Sequence, residues 1–121
     1  MAREFSRNQR LGNQILRTLS ELIRFDSKDP RLDGIALTQV DLTRDLSIAE
    51  VYFSMLRPDA DPAPAKDGLD SAAGFLRGRL GHAIKVRHVP ELRFVHDASA
   101  AESARISELI AGAQGSRDKR D

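Results

Sequence analysis

The residues best suited to chemistry lie between Ser71 and Pro90, a stretch that contains no aspartate or glutamate. It carries four basic residues and two histidines, namely Arg77, Arg79, Lys85, Arg87, His82 and His88. Guanidinium, ammonium and imidazole groups without neighbouring carboxylates bind anions, and rows of phosphates in particular. The stretch is also apolar at helical spacing, so it must pack a core while presenting positive charge. This combination favours a polyanion as partner.

Residue types that would support enzyme chemistry are scarce. The chain has no cysteine, and no two of its three histidines have the one-turn spacing of a helical zinc site. Asp41, Asp45 and Glu50 surround a predicted hairpin and have the groups for acid–base work. Aspartates in turns and solvent-facing glutamates in strands are ordinary, however. We therefore expect no enzyme activity, no metal and no cofactor.

A Gly-x-x-Gly tetrapeptide at residues 78–81 has the form of the loop with which K-homology (KH) domains clamp single-stranded nucleic acid. A loop at this position would leave only residues 82–85 for the following helix, which is too short. A kink at Ala72-Ala73-Gly74 leaves helices of usable length on both sides. The sequence favours this kink and keeps the clamp at 78–81 as the weaker alternative.

Apolar periodicity predicts the elements that position these residues. A helix over residues 6–24, with Ser6 as its N-cap, has apolar side chains on one face and arginines on the other. Alternation predicts strands over residues 35–43 and 47–56, joined by a short hairpin. In the first strand the apolar residues shift from odd positions (Ile35, Leu37) to even positions (Val40, Leu42), so we expect a bulge near Thr38 and Gln39.

The second half of the chain continues this pattern. Three prolines predict a surface loop over residues 57–66, followed by the kinked helix from Leu69 to Ile84. A strand over residues 86–96 and a helix over residues 99–113 complete the order. The predicted fold class is α+β, with helices on one face of a three-stranded, mostly antiparallel sheet. We place one domain at residues 1–113 and a short charged, disordered tail at residues 114–121.

The net charge of +1 hides a strong asymmetry along the 121 residues. Residues 1–24 carry a net charge of +3, residues 25–70 carry −5, and residues 71–90 carry +4. Such a distribution indicates a basic binding face opposed by an acidic remainder. No apolar run reaches the roughly 20 residues of a membrane span, and no signal peptide is apparent. We expect a cytoplasmic protein that does not bind membranes.

Several short motifs occur in order along residues 3–111. They are Arg3-Glu4-Phe5 with Arg10, Asp29-Pro30-Arg31-Leu32, Arg44-Asp45-Leu46 with Ala49 and Val51-Tyr52, Ala72-Ala73-Gly74-Phe75-Leu76-Arg77, Leu80-Gly81, and Val89-Pro90-Glu91-Leu92 with Phe94 and Asp97. Together these motifs resemble the bacterial ribosome-binding factor A family. The resemblance implies a type II KH-like fold in which the Ala72-Ala73-Gly74 kink replaces the clamp loop. It also implies binding to free 30S subunits and immature 16S rRNA near the 5′-terminal helix.

Members of the family support 16S rRNA end processing and growth in the cold, and a GTPase promotes their release. The resemblance therefore implies a monomeric, non-enzymatic assembly factor. The alternatives are a general KH-type binder of single-stranded RNA, a nuclease that trims the rRNA end itself, and a protein-interaction adaptor with no RNA contact. We expect RNA phosphates to be contacted by Arg77, Arg79, Lys85 and Arg87, with weaker candidates at Arg7, Arg10, Arg17, Lys28, Arg31 and Arg44. Four neutralised phosphates would give a slope of log K against log salt of about −3 to −4.

Overall fold

The computed structural model describes residues 2–98, with side chains from Arg7 onward, as two long helices and one three-stranded sheet. In chain order the elements are α1 (Ala2–Asp26), a short 3₁₀ helix (Pro30–Leu32), β1 (Ile35–Leu42), β2 (Ile48–Met55), α2 (Ala63–Ala83) and β3 (Glu91–His96). The predicted α+β class is confirmed. The helix predicted over residues 99–113 and the tail lie outside the described residues, so the boundary at residue 113 stays a prediction.

Helix α1 begins earlier than the sequence pattern predicts. Its first residue is Ala2, so Ser6 lies inside the helix and is not its N-cap. No glycine or proline precedes Ser6, so the helical backbone continues through it. The predicted apolar face is confirmed, because Ile15 and Leu19 are fully buried and Leu11, Leu22 and Ile23 pack beside them.

Strands β1 and β2 form an antiparallel hairpin whose register shifts between Leu37 and Gln39. The shift leaves Thr38 without a partner in the ladder and confirms the predicted bulge. The turn joins Leu42 to Ile48, and its Leu46 adopts a left-handed backbone with φ of 63°. Asp45 accepts hydrogen bonds from the hydroxyls of Thr43 (3.0 Å) and Ser47 (2.8 Å) and from the Ser47 backbone N–H (3.1 Å), which fixes the turn.

Strand β3 pairs with β2 in parallel, so the sheet is mixed and β2 is its central strand. The expectation of a mostly antiparallel sheet is wrong at this pair. A long connection through α2 carries the chain back to the start of β2, as parallel pairing requires. Strand β3 is also shorter than predicted, because residues 84–90 form an irregular segment, hereafter the α2–β3 linker.

Helix α2 differs from its prediction at two places. It begins at Ala63, inside the predicted loop, because prolines are tolerated in a first helical turn and Pro62 and Pro64 occupy those positions. It also continues through Ala72-Ala73-Gly74, so the two predicted half-helices belong to one element, and the kink of the helix axis at these residues stays a prediction. Two alanines favour the helix enough to offset the roughly 1 kcal/mol cost of one glycine.

The two helices and the inward residues of the sheet share one core. Leu69, Leu76 and Leu80 of α2 are fully buried in the same cluster as Ile15 and Leu19 of α1. The sheet contributes alternate residues of β2 and β3, namely Ala49, Val51, Phe53, Leu92 and Phe94. This alternation places the helices on one face of the sheet, as predicted. The type II KH-like description itself stays a prediction from the resemblance.

Candidate RNA-binding surface

The acid-free stretch divides into two structural parts, the last half of α2 and the α2–β3 linker. The linker is anchored by apolar residues, because Ile84 and Pro90 are buried and Val86 and Val89 pack against the core. Between these anchors Lys85, Arg87 and His88 are exposed. Local sequence thus explains the arrangement, since apolar residues fix the backbone and basic residues between them face solvent.

Arg77 has a structural contact that the sequence did not predict. Its guanidinium donates to the backbone carbonyls of Val89 (2.8 Å from Nη2, 3.2 Å from Nε) and Pro90 (3.2 Å from Nε). These charge-assisted hydrogen bonds tie the middle of α2 to the end of the linker. Arg77 therefore holds the linker in place, and its predicted contact with phosphate stays a prediction. A guanidinium used in this way has fewer donors left for a ligand.

Arg79 is shared between two neighbours. Its guanidinium forms an ion pair with Asp26 at the end of α1 (2.5 Å) and lies 5.4 Å from the ring centroid of Phe75, one turn earlier in α2. The Arg79 side chain is 51% exposed, so an approaching phosphate can reach it. Asp26 is an acidic neighbour from outside the acid-free stretch, which the sequence pattern did not reveal.

Lys85 and Arg87 are the most available cations of the stretch. Both are exposed, and neither forms an ion pair with any residue in the range 7–98. His88 is exposed next to them. His82 lies one turn beyond Gly78 on α2, with its Nδ1 3.1 Å from the Gly78 carbonyl oxygen. The predicted basic face is thus brought together by the last two turns of α2 and the linker.

Five of the weaker candidates lie on other parts of the chain than α2 and the linker. Arg7, Arg10 and Arg17 are exposed along α1. Lys28 follows α1, and Arg44 lies in the hairpin turn, both exposed. Within the described part of the chain, none of these five forms an ion pair. They remain candidates on adjoining or separate surfaces.

Arg31 is held by its own neighbour. Its Nη2 lies 2.7 Å from Asp29 Oδ2, its Nε lies 3.1 Å from each carboxylate oxygen, and its backbone N–H also donates to Oδ1. The side-chain hydrogen bond from Arg31 lowers the pKa of Asp29, and the same bond raises the pKa of Arg31. Because the Nε and Nη2 donors of its guanidinium are occupied by this carboxylate, Arg31 is a poorer phosphate ligand than the sequence suggests.

The Gly-x-x-Gly tetrapeptide is not a loop. Residues 78–81 are all helical, so their backbone groups belong to α2. A Cβ at Gly81 would meet Val89 Cγ2 at 3.0 Å, whereas nothing lies within 4 Å of one at Gly78. Gly81 therefore allows the linker to pack closely on the helix, and the geometry of a backbone clamp is absent at these residues.

The carboxylates near the hairpin serve local structure. Asp45 fixes the turn, Asp41 accepts from the Gln39 amide (2.7 Å), and Glu50 accepts from the Tyr52 hydroxyl (3.2 Å). Burial raises the pKa of Tyr52, and the nearby charge of Glu50 raises it further, so the phenol keeps its proton. Among the described residues, no group of three or more histidines and carboxylates is placed to hold a metal ion.

A cleft of about 460 Å³ lies between the end of α1, the 3₁₀ helix and β1. Its charged lining residues are Arg24, Asp29 and Asp33, of which Asp29 is paired with Arg31. The cleft contains none of the basic residues of the acid-free stretch. No helix in the described range is long and apolar enough to cross a membrane.

The family model of ribosome-binding factor A matches residues 7–110, which include the whole basic surface. The chain belongs to this family. A ribosome-binding factor A of Thioalkalivibrio sulfidiphilus is 46% identical over 110 residues, covering 91% of this chain and 85% of the relative. The Stutzerimonas stutzeri protein is 46% identical over 113 residues, covering 91% of this chain and 88% of that protein.

Solved structures of ribosome-binding factor A have the same fold. The crystal structure of the Thermus thermophilus protein has a TM-score of 0.68 at 29% identity, with coverage of 74% of this chain and 93% of that one. A homology model of Thermus thermophilus ribosome-binding factor A, fitted into a cryo-EM map of a 30S complex, has a TM-score of 0.62 at 28% identity. It covers 76% of this chain and 97% of its own.

Proposed function

We propose that this protein binds the free 30S ribosomal subunit and its immature 16S rRNA and acts there as a non-catalytic assembly factor. The observation that carries the proposal is the exposed basic surface formed by the last half of α2 and the α2–β3 linker, in a chain of the ribosome-binding factor A family. A relative with the same fold has been fitted into a map of a 30S complex.

The mechanism follows from the character of this surface. Lys85, Arg87 and the half-exposed Arg79 neutralise rRNA phosphates near the 5′-terminal helix and hold one rRNA conformation while the ends of 16S rRNA are processed. Such an interface is mostly electrostatic, so it is reversible, and a ribosome-associated GTPase promotes release. The same activity supports growth in the cold. The protein acts as a cytoplasmic monomer.

Sedimentation of cell extract through a sucrose gradient tests the proposed partner. We expect the protein to cosediment with free 30S subunits and to be absent from 70S ribosomes. Cosedimentation with 70S ribosomes, or with no ribosomal particle, would overturn the proposal.

A pair of double variants tests the surface itself. The Lys85→Gln/Arg87→Gln variant removes two cations from the linker and should weaken binding to purified 30S subunits and reduce the salt slope by about 1.5. The matched control, Arg57→Gln/Lys66→Gln, removes the same charge from the acidic part of the chain and should bind like the wild type. An equal loss of 30S affinity in the two double variants would show that binding depends only on the net charge of the chain.

The non-catalytic role and the alternative function need separate measurements. Incubation of pure protein with precursor 16S rRNA and Mg²⁺ should leave the RNA intact, and specific cleavage would contradict the proposal. A general binder of single-stranded RNA would be displaced from 30S subunits by excess polyuridylate. We expect the 30S complex to survive this competitor, because residues 78–81 are helical and cannot clamp an arbitrary strand.

A further inference from the structure

The solvent-facing side of α2 carries a large aromatic ring among small residues. Steps of three and four place six exposed residues on this outer face, namely Ser71, Gly74, Phe75, Gly78, Arg79 and His82. The buried Leu69, Leu76 and Leu80 lie on the opposite side of the helix. Phe75 is therefore not a core residue that is partly uncovered, because it projects away from the core and is 46% exposed.

The surroundings of Phe75 give a flat ligand close access. Nothing lies within 4 Å of the positions where Gly74 and Gly78 would carry a Cβ, so the helix surface beside the ring is open. The Arg79 guanidinium lies 5.4 Å from the ring centroid and is itself held by Asp26. The Phe75 ring therefore has a cation beside it and an open helix surface around it.

The charges around this face favour a polyanion that also has planar groups. No acidic residue occurs from residue 71 to residue 90, and Arg79 and His82 lie one and two turns beyond the ring along the helix. Within the described range, the one acidic partner of these two residues is Asp26, which pairs with Arg79. The Nδ1 of His82 lies 3.1 Å from the Gly78 carbonyl oxygen, so Nε2 is the ring nitrogen left for a phosphate. Unpaired nucleotides offer both features, since every base has a π-face and every linkage has a phosphate.

Phe25 provides an internal comparison. It is 71% exposed and has the Arg24 guanidinium 5.7 Å from its ring centroid, so it repeats the aromatic–arginine pair. Its neighbours along the chain, however, include the acidic residues Glu21 and Asp29, whereas the carboxylate of Asp26 pairs with Arg79 beside Phe75. Repulsion between these carboxylates and phosphates disfavours RNA at Phe25. A comparison of Phe75 with Phe25 therefore separates the effect of an exposed aromatic ring on RNA binding from the effect of the charges around the ring.

We propose that Phe75 is a stacking platform for an unpaired base of 16S rRNA, with Arg79 and His82 on the adjoining phosphates. This inference rests on the proposed function. It adds a stacking contact with a base, which only an unpaired nucleotide can make, to a surface whose other contacts are with phosphates. A base stacked on Phe75 would let the protein distinguish an exposed rRNA strand from the same strand after it has paired.

Binding to purified 30S subunits tests the platform. Phe75→Ala should weaken the affinity by about 5- to 100-fold. It should leave the salt slope unchanged, because no phosphate contact is lost. Phe25→Ala is the matched control and should bind like the wild type. The free energies of unfolding of both variants, measured in urea, show whether each remains folded at the assay temperature.

A fluorescent variant identifies the group that contacts residue 75. The chain has no tryptophan, so Phe75→Trp and Phe25→Trp each introduce a single reporter. Stacking on a nucleobase quenches indole fluorescence, so the reporter at residue 75 should be quenched by 30S subunits and the one at residue 25 should not. The same quenching is expected with a single-stranded oligoribonucleotide and should be lost with an abasic strand of equal length.

The outcomes separate this inference from the proposed function. Failure of the wild type to bind 30S subunits would overturn both. Wild-type binding with an unchanged Phe75→Ala affinity would overturn the stacking platform alone. Weakened Phe75→Ala binding without quenching in Phe75→Trp would also overturn it, because the partner of residue 75 would then be a ribosomal protein.

Discussion

The hydrogen bonds from Arg77 to the carbonyls of Val89 and Pro90 make this residue a structural tie between α2 and the linker. Arg77→Ala should lower the free energy of unfolding by about 1–3 kcal/mol, because hydrogen bonds from a charged donor to two carbonyls are lost. Arg77→Lys should recover only part of this stability, since an ammonium cannot reproduce the planar fork. Urea denaturation measures both effects.

Arg79→Ala is the control for this prediction. Its ion pair with Asp26 is solvent-exposed, and such pairs contribute about 0–1 kcal/mol. If the Arg77 and Arg79 variants are equally stable, the tie between α2 and the linker is not important for stability.

Asp45 makes the hairpin turn sensitive to acid. Hydrogen bonds from the Ser47 side chain and backbone, and then from the Thr43 hydroxyl, lower the pKa of Asp45 in the folded protein. Its contribution to stability is therefore complete above the ordinary carboxyl pKa of about 3.9 and is lost as the pH falls through the lowered value. Thermal unfolding at pH 6 and pH 3 should show a larger decrease in Tm for the wild type than for Asp45→Asn. Equal decreases would contradict this assignment.

The glycines of α2 differ in what surrounds them, and this difference predicts opposite effects of alanine. Gly74→Ala and Gly78→Ala meet no atom within 4 Å and should each stabilise the protein by about 1 kcal/mol, because alanine favours the helix. Gly81→Ala places its Cβ 3.0 Å from Val89 Cγ2, so crowding should cancel or reverse that gain. Thermal denaturation compares the Tm values of the three variants. Equal stabilisation in all three would show that the linker can move to accommodate the methyl group at residue 81.

The elements differed in how well the sequence predicted them. Periodicity located α1, β1 and β2 and the bulge at Thr38, because each has one buried face that fixes its register. It did not locate the start of α2 or the end of the irregular linker. Prolines are compatible with a loop and with a first helical turn. In the linker, Ile84, Val86 and Val89 are anchored apolar residues without a strand ladder.

The candidate site was predictable in composition but not in its contacts. The stretch from residue 71 to residue 90 has no acidic residue, and its Lys85 and Arg87 are exposed and form no ion pair within the described range, whereas its Arg79 pairs with Asp26. The roles of Arg77 and Arg79 depend on Val89, Pro90 and Asp26, which only the tertiary fold brings near. The i, i+4 spacing of Phe75 and Arg79 was a local signal for their contact.

At the scale of the whole molecule, the structure lowers the number of cations available to RNA. With Arg77 committed to the linker, Lys85, Arg87 and Arg79 remain from the acid-free stretch. Three neutralised phosphates predict a slope of log K against log salt between about −2 and −3 for 30S binding. Titrations from 50 to about 300 mM KCl measure it. A flat dependence would contradict an electrostatic interface, and a slope steeper than −4 would require cations from α1 as well.

The parallel pairing of β2 with β3 has a consequence for the order in which the chain folds. The hairpin of β1 and β2 closes through a turn of five residues, whereas β3 joins β2 only after α2 has formed and returned the chain. Loop-closure entropy delays such distant contacts, so the hairpin forms early and β3 docks late. Because the linker reaches its final shape only with β3, nascent chains acquire the complete basic surface last, after synthesis has passed β3.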